Sequence, residues 1–217
     1  MAGSSARTTT ARKRRIRWAA IALTVLLVAA AGIFAYQRLA PAPELVGGAI
    51  VDPPQPAPNF TLTDQFGQNR SLDSLAGKPV ALTFVYTNCP DVCPVTLSEF
   101  KQIRQKLGKR AVGVAFLFIT VDPKRDTPEA LGKHLALFDP AIIGLTGDFY
   151  NLQVVWKAYG VTREEQEVSG VAEYLVDHTA RTYVVDKRGD LRMTYPFGFD
   201  ADGMAQDVEH LVDEELK

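Results

Sequence analysis

Apolar residues occur along this chain in patterns that predict alternating strands and helices. Two runs rich in β-branched and aromatic residues, 80–86 and 111–121, have the composition of buried strands. The second run is almost continuously apolar, which is typical of a central strand covered on both faces. Elsewhere apolar residues recur every three or four positions, which predicts amphipathic helices over 95–107, 148–159 and 202–216.

Turn and capping residues place the remaining elements. Thr127 and Pro128 suit the N-cap and first position of a further helix, because threonine accepts a hydrogen bond there and proline lacks an N–H to satisfy. Shorter strands are predicted at 59–64, 142–146, 173–176, 182–186 and 191–195. Strand–helix alternation that ends in a hairpin and a terminal helix predicts an α/β fold of the thioredoxin type.

The N-terminal part of the chain has the pattern of a membrane anchor. Residues 18–36 contain no charge over 19 positions, which is long enough for a helix to cross a bilayer. Arginine and lysine residues cluster directly before this segment and only Arg38 follows it closely, so the positive-inside rule predicts a cytoplasmic N-terminus and an exported body. The alternative is a cleaved signal peptide, although its apolar core would usually be shorter.

Charge is distributed unevenly along the chain. The formal net charge is −1, but the first 36 residues hold six basic side chains and no acidic one. The rest of the chain is therefore mildly acidic, which argues against a nucleic-acid partner. The predicted segments are a basic cytoplasmic tail (residues 1–17), a single transmembrane anchor (18–36), a proline-rich linker (37–58) and a folded domain (59–217).

The two cysteines, Cys89 and Cys93, lie where the first buried strand is predicted to turn into a helix. Pro94 suits the first helical position, which places Cys93 near the N-cap and Cys89 just upstream. A helix N-terminus favours anions, so thiols here should ionise more readily than a free cysteine. Three interpretations remain open: inert core residues, a redox dithiol, or soft ligands for a thiophilic metal.

Two thiolates would leave a copper or zinc ion in need of at least one more ligand. His178 is the best placed histidine, because it is predicted to lie in a loop between two late strands. The corresponding loop of thioredoxin-like folds faces the cysteine turn. His134 and His210 lie within predicted helices and are interpreted as packing or surface residues.

Five further side chains have suitable chemistry but no positional argument for a site. Met193 and Met204 offer soft sulfur atoms, and both are interpreted as hydrophobic packing residues. Asp91, Asp122 and Asp177 are candidates for tuning a metal site or for a partner surface. Asp122, which precedes a proline, is equally well explained as the end of a strand.

Four motifs together resemble the Sco/SenC proteins, which are membrane-anchored copper-binding factors in the assembly of cytochrome c oxidase. The motifs are FVYTNCPDVCP, TVDPKRDTPEAL, FDPAIIGLTGD and VDHTARTYVVD. The resemblance covers about residues 56–216, and the predicted anchor precedes it as in that family. It implies a thioredoxin-like, peroxiredoxin-related fold in which Cys89, Cys93 and His178 bind one copper ion.

The function implied by the resemblance is that of a copper metallochaperone for the dinuclear copper centre of cytochrome c oxidase subunit II. Two thiolates suit Cu(I) and an imidazole also admits Cu(II), so both oxidation states are expected. The alternative is a thiol–disulfide oxidoreductase, with Cys89 and Cys93 as redox dithiol, that reduces the recipient's cysteines. A peroxidase-like or redox-signalling role is a weaker third option.

The expected setting follows from the same resemblance and from the anchor. The protein would lie in the cytoplasmic membrane as a single-pass protein, with its domain in the periplasm or another extracytoplasmic space. Besides the oxidase subunit, its expected partners are another periplasmic copper chaperone and a thioredoxin-like reductant.

Overall fold

The computed structural model describes Trp18, Leu45 and residues 23–32, 47–167 and 174–215. The chain divides into two compact units, residues 1–44 and 45–217. In the first unit, residues 23–32 are helical and exposed. Within the described residues, no helix is both long enough and apolar enough to span a membrane. The predicted tail at 1–17 and much of the predicted anchor at 18–36 lie outside the described residues.

The described residues of the second unit form ten strands and four α-helices. The strands are β1 (Ala49–Pro56), β2 (Thr61–Asp64), β3 (Asn69–Ser71), β4 (Val80–Val85), β5 (Ala115–Thr120), β6 (Ile143–Thr146), β7 (Arg163–Glu167), β8 (Tyr174–His178), β9 (Arg181–Val185) and β10 (Asp190–Pro196). The helices are α1 (Val92–Leu107), α2 (Pro128–Ala136), α3 (Phe149–Ala158) and α4 (Ala201–Asp213). Short 3-10 segments lie at Asp73–Leu75 and Gly108–Gly113.

The predicted central strands form the middle of a mixed sheet in the order β1-β10-β9-β4-β5-β6-β2-β3. β4 pairs in parallel with β5, and β5 with β6, while β9 runs antiparallel to β4. Every residue of β4 and β5 is buried, so both faces of this part of the sheet are covered. The continuous apolar runs correctly predicted this arrangement, although β5 begins at Ala115 after a 3-10 segment.

An edge strand occupies part of the range predicted as a proline-rich linker. β1 pairs antiparallel with β10, with an irregularity between Ile50 and Gln55. Proline lacks the N–H of a sheet ladder, but an edge strand needs only one side to pair, so its prolines are compatible with this position. Gly47 also contacts the folded unit, since its N–H donates to Asp207 Oδ2 at 2.7 Å. The folded unit therefore includes residues upstream of the predicted boundary at 59.

The helix that follows the cysteines begins earlier than predicted. Its N-cap is Asp91, so Cys93 is the second helical residue and Pro94 the third. Proline is still tolerated there, because the N–H groups of the first turn have no partner within the helix. The predicted cap at Thr127 is confirmed: its hydroxyl accepts the N–H of Ala130 at 3.2 Å, with Pro128 following.

A two-stranded ribbon, β7–β8, is separate from the main sheet. The sequence did not predict β7, because Arg163–Glu167 is a charged, largely exposed segment without apolar alternation. β8 ends at His178, so this histidine is the last residue of a strand and not part of the loop in which it was predicted.

Leu131 on α2 provides a test of the packing. Leu131→Ala should lower the free energy of unfolding by about 2–5 kcal/mol, because Leu131 is completely buried and its loss leaves a cavity. The control is Leu137→Ala at the C-cap of the same helix, where the side chain is 79% exposed and a change within about 0.5 kcal/mol is expected. Urea denaturation measures both, and equal losses would contradict the packing described.

Candidate metal and dithiol site

The two cysteines are brought together by the turn from β4 to α1. Both are free thiols; Cys89 is partly exposed and Cys93 is buried within the first turn of the helix. The N–H of Cys93 donates to Cys89 Sγ at 3.4 Å, and the N–H of Asp91 also donates to this sulfur. The Cys89 sulfur thus takes the role of a capping acceptor, which Asp91 leaves open because its side chain makes no capping hydrogen bond.

His178 reaches the same sulfur from β8. Its side chain is one of the groups that lower the pKa of Cys89, and its ring stands edge-on to Tyr86 with centroids 5.9 Å apart. His178 Nδ1 lies 3.2 Å from the carbonyl oxygen of Thr179. When Nδ1 donates its proton to that carbonyl, the lone pair of the imidazole is on Nε2, the nitrogen then available to a metal ion.

The surroundings shift the pKa values of the two thiols in opposite directions, so that Cys89 is the more acidic. The hydrogen bond with Cys93 is the largest cause that holds the pKa of Cys89 well below its usual range. Interactions with His178 and with backbone N–H groups lower this pKa further, whereas burial opposes them. Burial is the main cause that raises the pKa of Cys93, followed by its hydrogen bond with Cys89. At neutral pH the pair therefore holds a thiolate at Cys89 and a thiol at Cys93.

The predicted ligands are linked through Cys89, whose pKa both Cys93 and His178 lower. Two sulfurs and one imidazole are soft and borderline donors, a set that suits copper better than hard cations. Among the described residues, no group of three or more His, Cys, Asp and Glu side chains has the geometry to hold a metal ion. The assignment of Cys89, Cys93 and His178 as ligands stays a prediction.

A buried carboxylate, Asp126, fixes the loop that carries the cysteines. The N–H and hydroxyl of Thr87 both donate to Asp126, and the hydroxyl of Thr120 donates to it from the end of β5. Burial raises the pKa of Asp126, while these hydrogen bonds oppose the rise. Asp126 was not singled out from the sequence, because its partners lie on other elements.

Three aromatic and charged residues near this site, Tyr86, Arg125 and Tyr174, were also missed, whereas Asp122 was among the candidates for tuning it. Asp122 is completely buried and accepts hydrogen bonds from Arg125 and from the hydroxyl of Tyr174. Tyr86 follows β4 directly and accepts the N–H of Val176 at its hydroxyl. The only local signal was the spacing of Asp122 and Arg125, three residues apart in the turn after β5, which is suited to an ion pair.

The other candidates differ in their surroundings. His134 is half-buried and packs against the rings of Phe118 and Phe138, at centroid distances of 6.2 and 5.3 Å. Met193 and Met204 are completely buried in the core, as their interpretation as packing residues predicted. His210 lies near the end of α4, and Asp91 and Asp177 are exposed.

The mixed sheet, its helices and a cysteine pair at a helix N-terminus define a thioredoxin-like protein. Solved structures that share the fold include two Sco proteins. A copper-bound ScoI of Bradyrhizobium japonicum is 37% identical, with a TM-score of 0.65 over 70% of this chain and 96% of that one. BsSco, described with a disulfide switch as a member of the Sco family of cytochrome c oxidase assembly proteins, is 26% identical, with a TM-score of 0.60 over 77% and 99% of the two chains.

The sequence comparisons agree with the structural ones. The SCO1/SenC family model matches residues 51–213. A SCO2-like protein of Rickettsia conorii is 37% identical over 134 residues, which are 60% of this chain and 64% of the relative's length. The chain belongs to the SCO1/SenC family.

The unequal acidity of the thiols predicts selective alkylation. In reduced, copper-free protein, Cys89 should react with iodoacetamide at about pH 5, whereas buried Cys93 should stay unmodified. Mass spectrometry of peptides measures the rate at each cysteine as a function of pH. Cys93→Ala should raise the pH midpoint of Cys89 alkylation, because the hydrogen bond that contributes most to the low pKa of Cys89 is lost. Equal reactivity with both midpoints near that of a free cysteine, about 8.5, would contradict this description.

Proposed function

We propose that this protein binds one copper ion through Cys89, Cys93 and His178 and carries it during assembly of cytochrome c oxidase. The observation that supports this most is the environment of Cys89 at the start of α1: its Sγ accepts the N–H of Cys93 at 3.4 Å, and both Cys93 and His178 lower its pKa. A thiolate already present at Cys89 would bind first, and Cys93 would lose its proton as the metal binds, since metal ligation favours the deprotonated thiol.

The donor set supports both oxidation states of copper. Thiolates favour Cu(I), and an imidazole with its lone pair on Nε2 extends the site to Cu(II). The Thr179 carbonyl, by accepting from Nδ1, would keep the imidazole in the required tautomer and orientation. The copper-bound ScoI structure supports the choice of metal for this chain.

The recipient and the setting are proposals that go further. The description of BsSco as a member of a family of oxidase assembly proteins supports cytochrome c oxidase as the partner, and we assign the dinuclear copper centre of subunit II as the destination. A second extracytoplasmic copper chaperone would load the site and a thioredoxin-like protein would keep its thiols reduced. The uncharged segment 18–36 and the basic residues before it support a single-pass anchor with the domain outside the cytoplasm.

A second candidate function is thiol–disulfide exchange, and the unequal acidity of the cysteines favours it. The Cys89 thiolate would attack a disulfide of the recipient and form a mixed disulfide, releasing one recipient thiolate. Cys93 would lose its proton and attack the Cys89 sulfur, which releases the second recipient thiolate. The recipient's disulfide is then reduced and Cys89–Cys93 is oxidised. The disulfide switch described for BsSco supports this reaction for the related chain.

Copper titration of the purified full-length protein tests the ligand set. The reduced protein should bind one equivalent, and Cys89→Ser, Cys93→Ser or His178→Ala should each weaken binding sharply, because each removes one of three donors. His210→Ala on α4 is the control and should bind as the wild type does. Protein oxidised to the Cys89–Cys93 disulfide should take up copper only after reduction. Tight stoichiometric binding by the oxidised protein would show that other ligands form the site.

The His178→Ala variant also separates the two functions. Copper transfer to the recipient should be lost, whereas reduction of a recipient disulfide should persist, because that reaction needs only the two cysteines. Loss of disulfide reduction with copper transfer intact would reverse the assignment.

Protease protection tests the topology. A protease added outside intact spheroplasts should degrade the folded domain and spare the N-terminal tail, because the basic residues before Trp18 are expected to stay in the cytoplasm. Immunoblots against tags at the two ends measure this, with a cytoplasmic protein as the control for intact cells. A protected domain would rule out both the proposed location and the oxidase role.

A further inference from the structure

The main sheet sets the position of His178 relative to the cysteines only in part: His178 lies three residues before β9, which pairs with β4. Cys89 and Cys93 follow β4 in the centre of that sheet, whereas His178 ends β8 in the separate β7–β8 ribbon. Side-chain contacts between the ribbon and the turn regions add a second constraint on the distance between imidazole and thiols. A metal site needs such support, because residues behind the ligands orient them.

Arg125 is held in the turn between β5 and α2. It forms an ion pair with Asp122, whose side chain is completely buried, and its own side chain is only 20% exposed. From this position Arg125 Nη1 donates to the carbonyl oxygen of Tyr174 at 3.0 Å. The guanidinium also lies 4.0 Å from the centroid of the Tyr174 ring. The Tyr174 hydroxyl closes the arrangement by donating to Asp122 Oδ1 at 2.8 Å, so both ends of this residue are attached to the same ion pair.

The same guanidinium reaches the cysteine side of the site. It lies 5.7 Å from the centroid of the Tyr86 ring. Tyr86 accepts the N–H of Val176 at 3.2 Å and presents its ring to the imidazole of His178. Arg125 thus stands over two rings, one at the beginning of β8 and one three residues before Cys89.

We propose that Arg125 is a positioning residue that sets the ribbon, and with it His178, at the distance from Cys89 and Cys93 which three-ligand copper binding needs. This inference rests on the proposed copper function and extends it to a residue outside the ligand set. Arginine suits the position because its planar group can pair with a carboxylate, donate to a carbonyl and stack on a ring at once. A lysine can keep the ion pair but has no planar fork for the other contacts.

The test compares Arg125→Gln and Arg125→Lys with the wild type in full-length protein. In reduced, copper-free protein, the amide of Val176 should exchange with deuterium faster in both variants, while Leu117 in β5 should stay as protected as in the wild type. Copper affinity should fall by about 10- to 100-fold in Arg125→Gln, with the loss of nitrogen hyperfine structure from the Cu(II) spectrum. Arg125→Lys should lose less affinity and provides a result if the glutamine variant does not fold.

Arg104→Lys is the matched control. Arg104 also pairs with a carboxylate, Asp139, at 2.7 Å and lies 5.6 Å from the ring of Phe116, with its side chain 18% exposed. Arg104 lies in the last turn of α1, whereas Cys93 lies in the first, so replacement of Arg104 should change neither the deuterium exchange of Val176 nor the copper spectrum. The inference would be overturned if the Val176 amide of the Arg125 variants exchanged with deuterium at the wild-type rate. Faster exchange with unchanged copper affinity would overturn it as well. If the wild type itself bound no copper, the proposed function would fail, and the exchange rates alone would decide the positioning role.

Discussion

Hydrogen bonds from the first turn of α1 to the sulfur of Cys89 are the interaction on which this site depends. A helix N-terminus has backbone N–H groups without partners in the helix, and here a thiolate accepts them where a capping oxygen would otherwise do so. The position of the sulfur follows from the fully buried strand β4, which fixes where the chain leaves the sheet. The partly exposed thiolate is thereby held ready for a metal ion or for a disulfide.

Copper binding and disulfide exchange use the same atoms, so the two proposed functions exclude each other in time. When Cys89 and Cys93 form a disulfide, both thiolates are lost and a single imidazole is a poor copper site. Burial raises the pKa of Cys93, so in either proposed reaction this thiol would stay protonated until a metal ion or a mixed disulfide is present at Cys89. His178, the proposed third ligand, is carried by the ribbon, which Arg125 contacts from its ion pair with Asp122.

Local patterns predicted the centre of the fold and the cysteine turn, because strand periodicity and capping residues act over a few positions. They misplaced the start of α1 by two residues, since a proline is compatible with any position of the first turn. β1 was interpreted as part of a linker because edge pairing with β10 depends on residues about 140 positions away. The contacts of Arg125 with Tyr174 were missed for the same reason, as they join residues 49 positions apart.

X-ray absorption spectroscopy of the copper-loaded, full-length protein tests the central claim most directly. The account predicts that Cu(I) is bound by two sulfur atoms and one imidazole nitrogen, with the nitrogen contribution absent from His178→Ala. A first shell of two sulfur atoms alone in the wild type, or one in which oxygen replaces sulfur, would contradict the assignment of Cys89, Cys93 and His178 as the copper ligands.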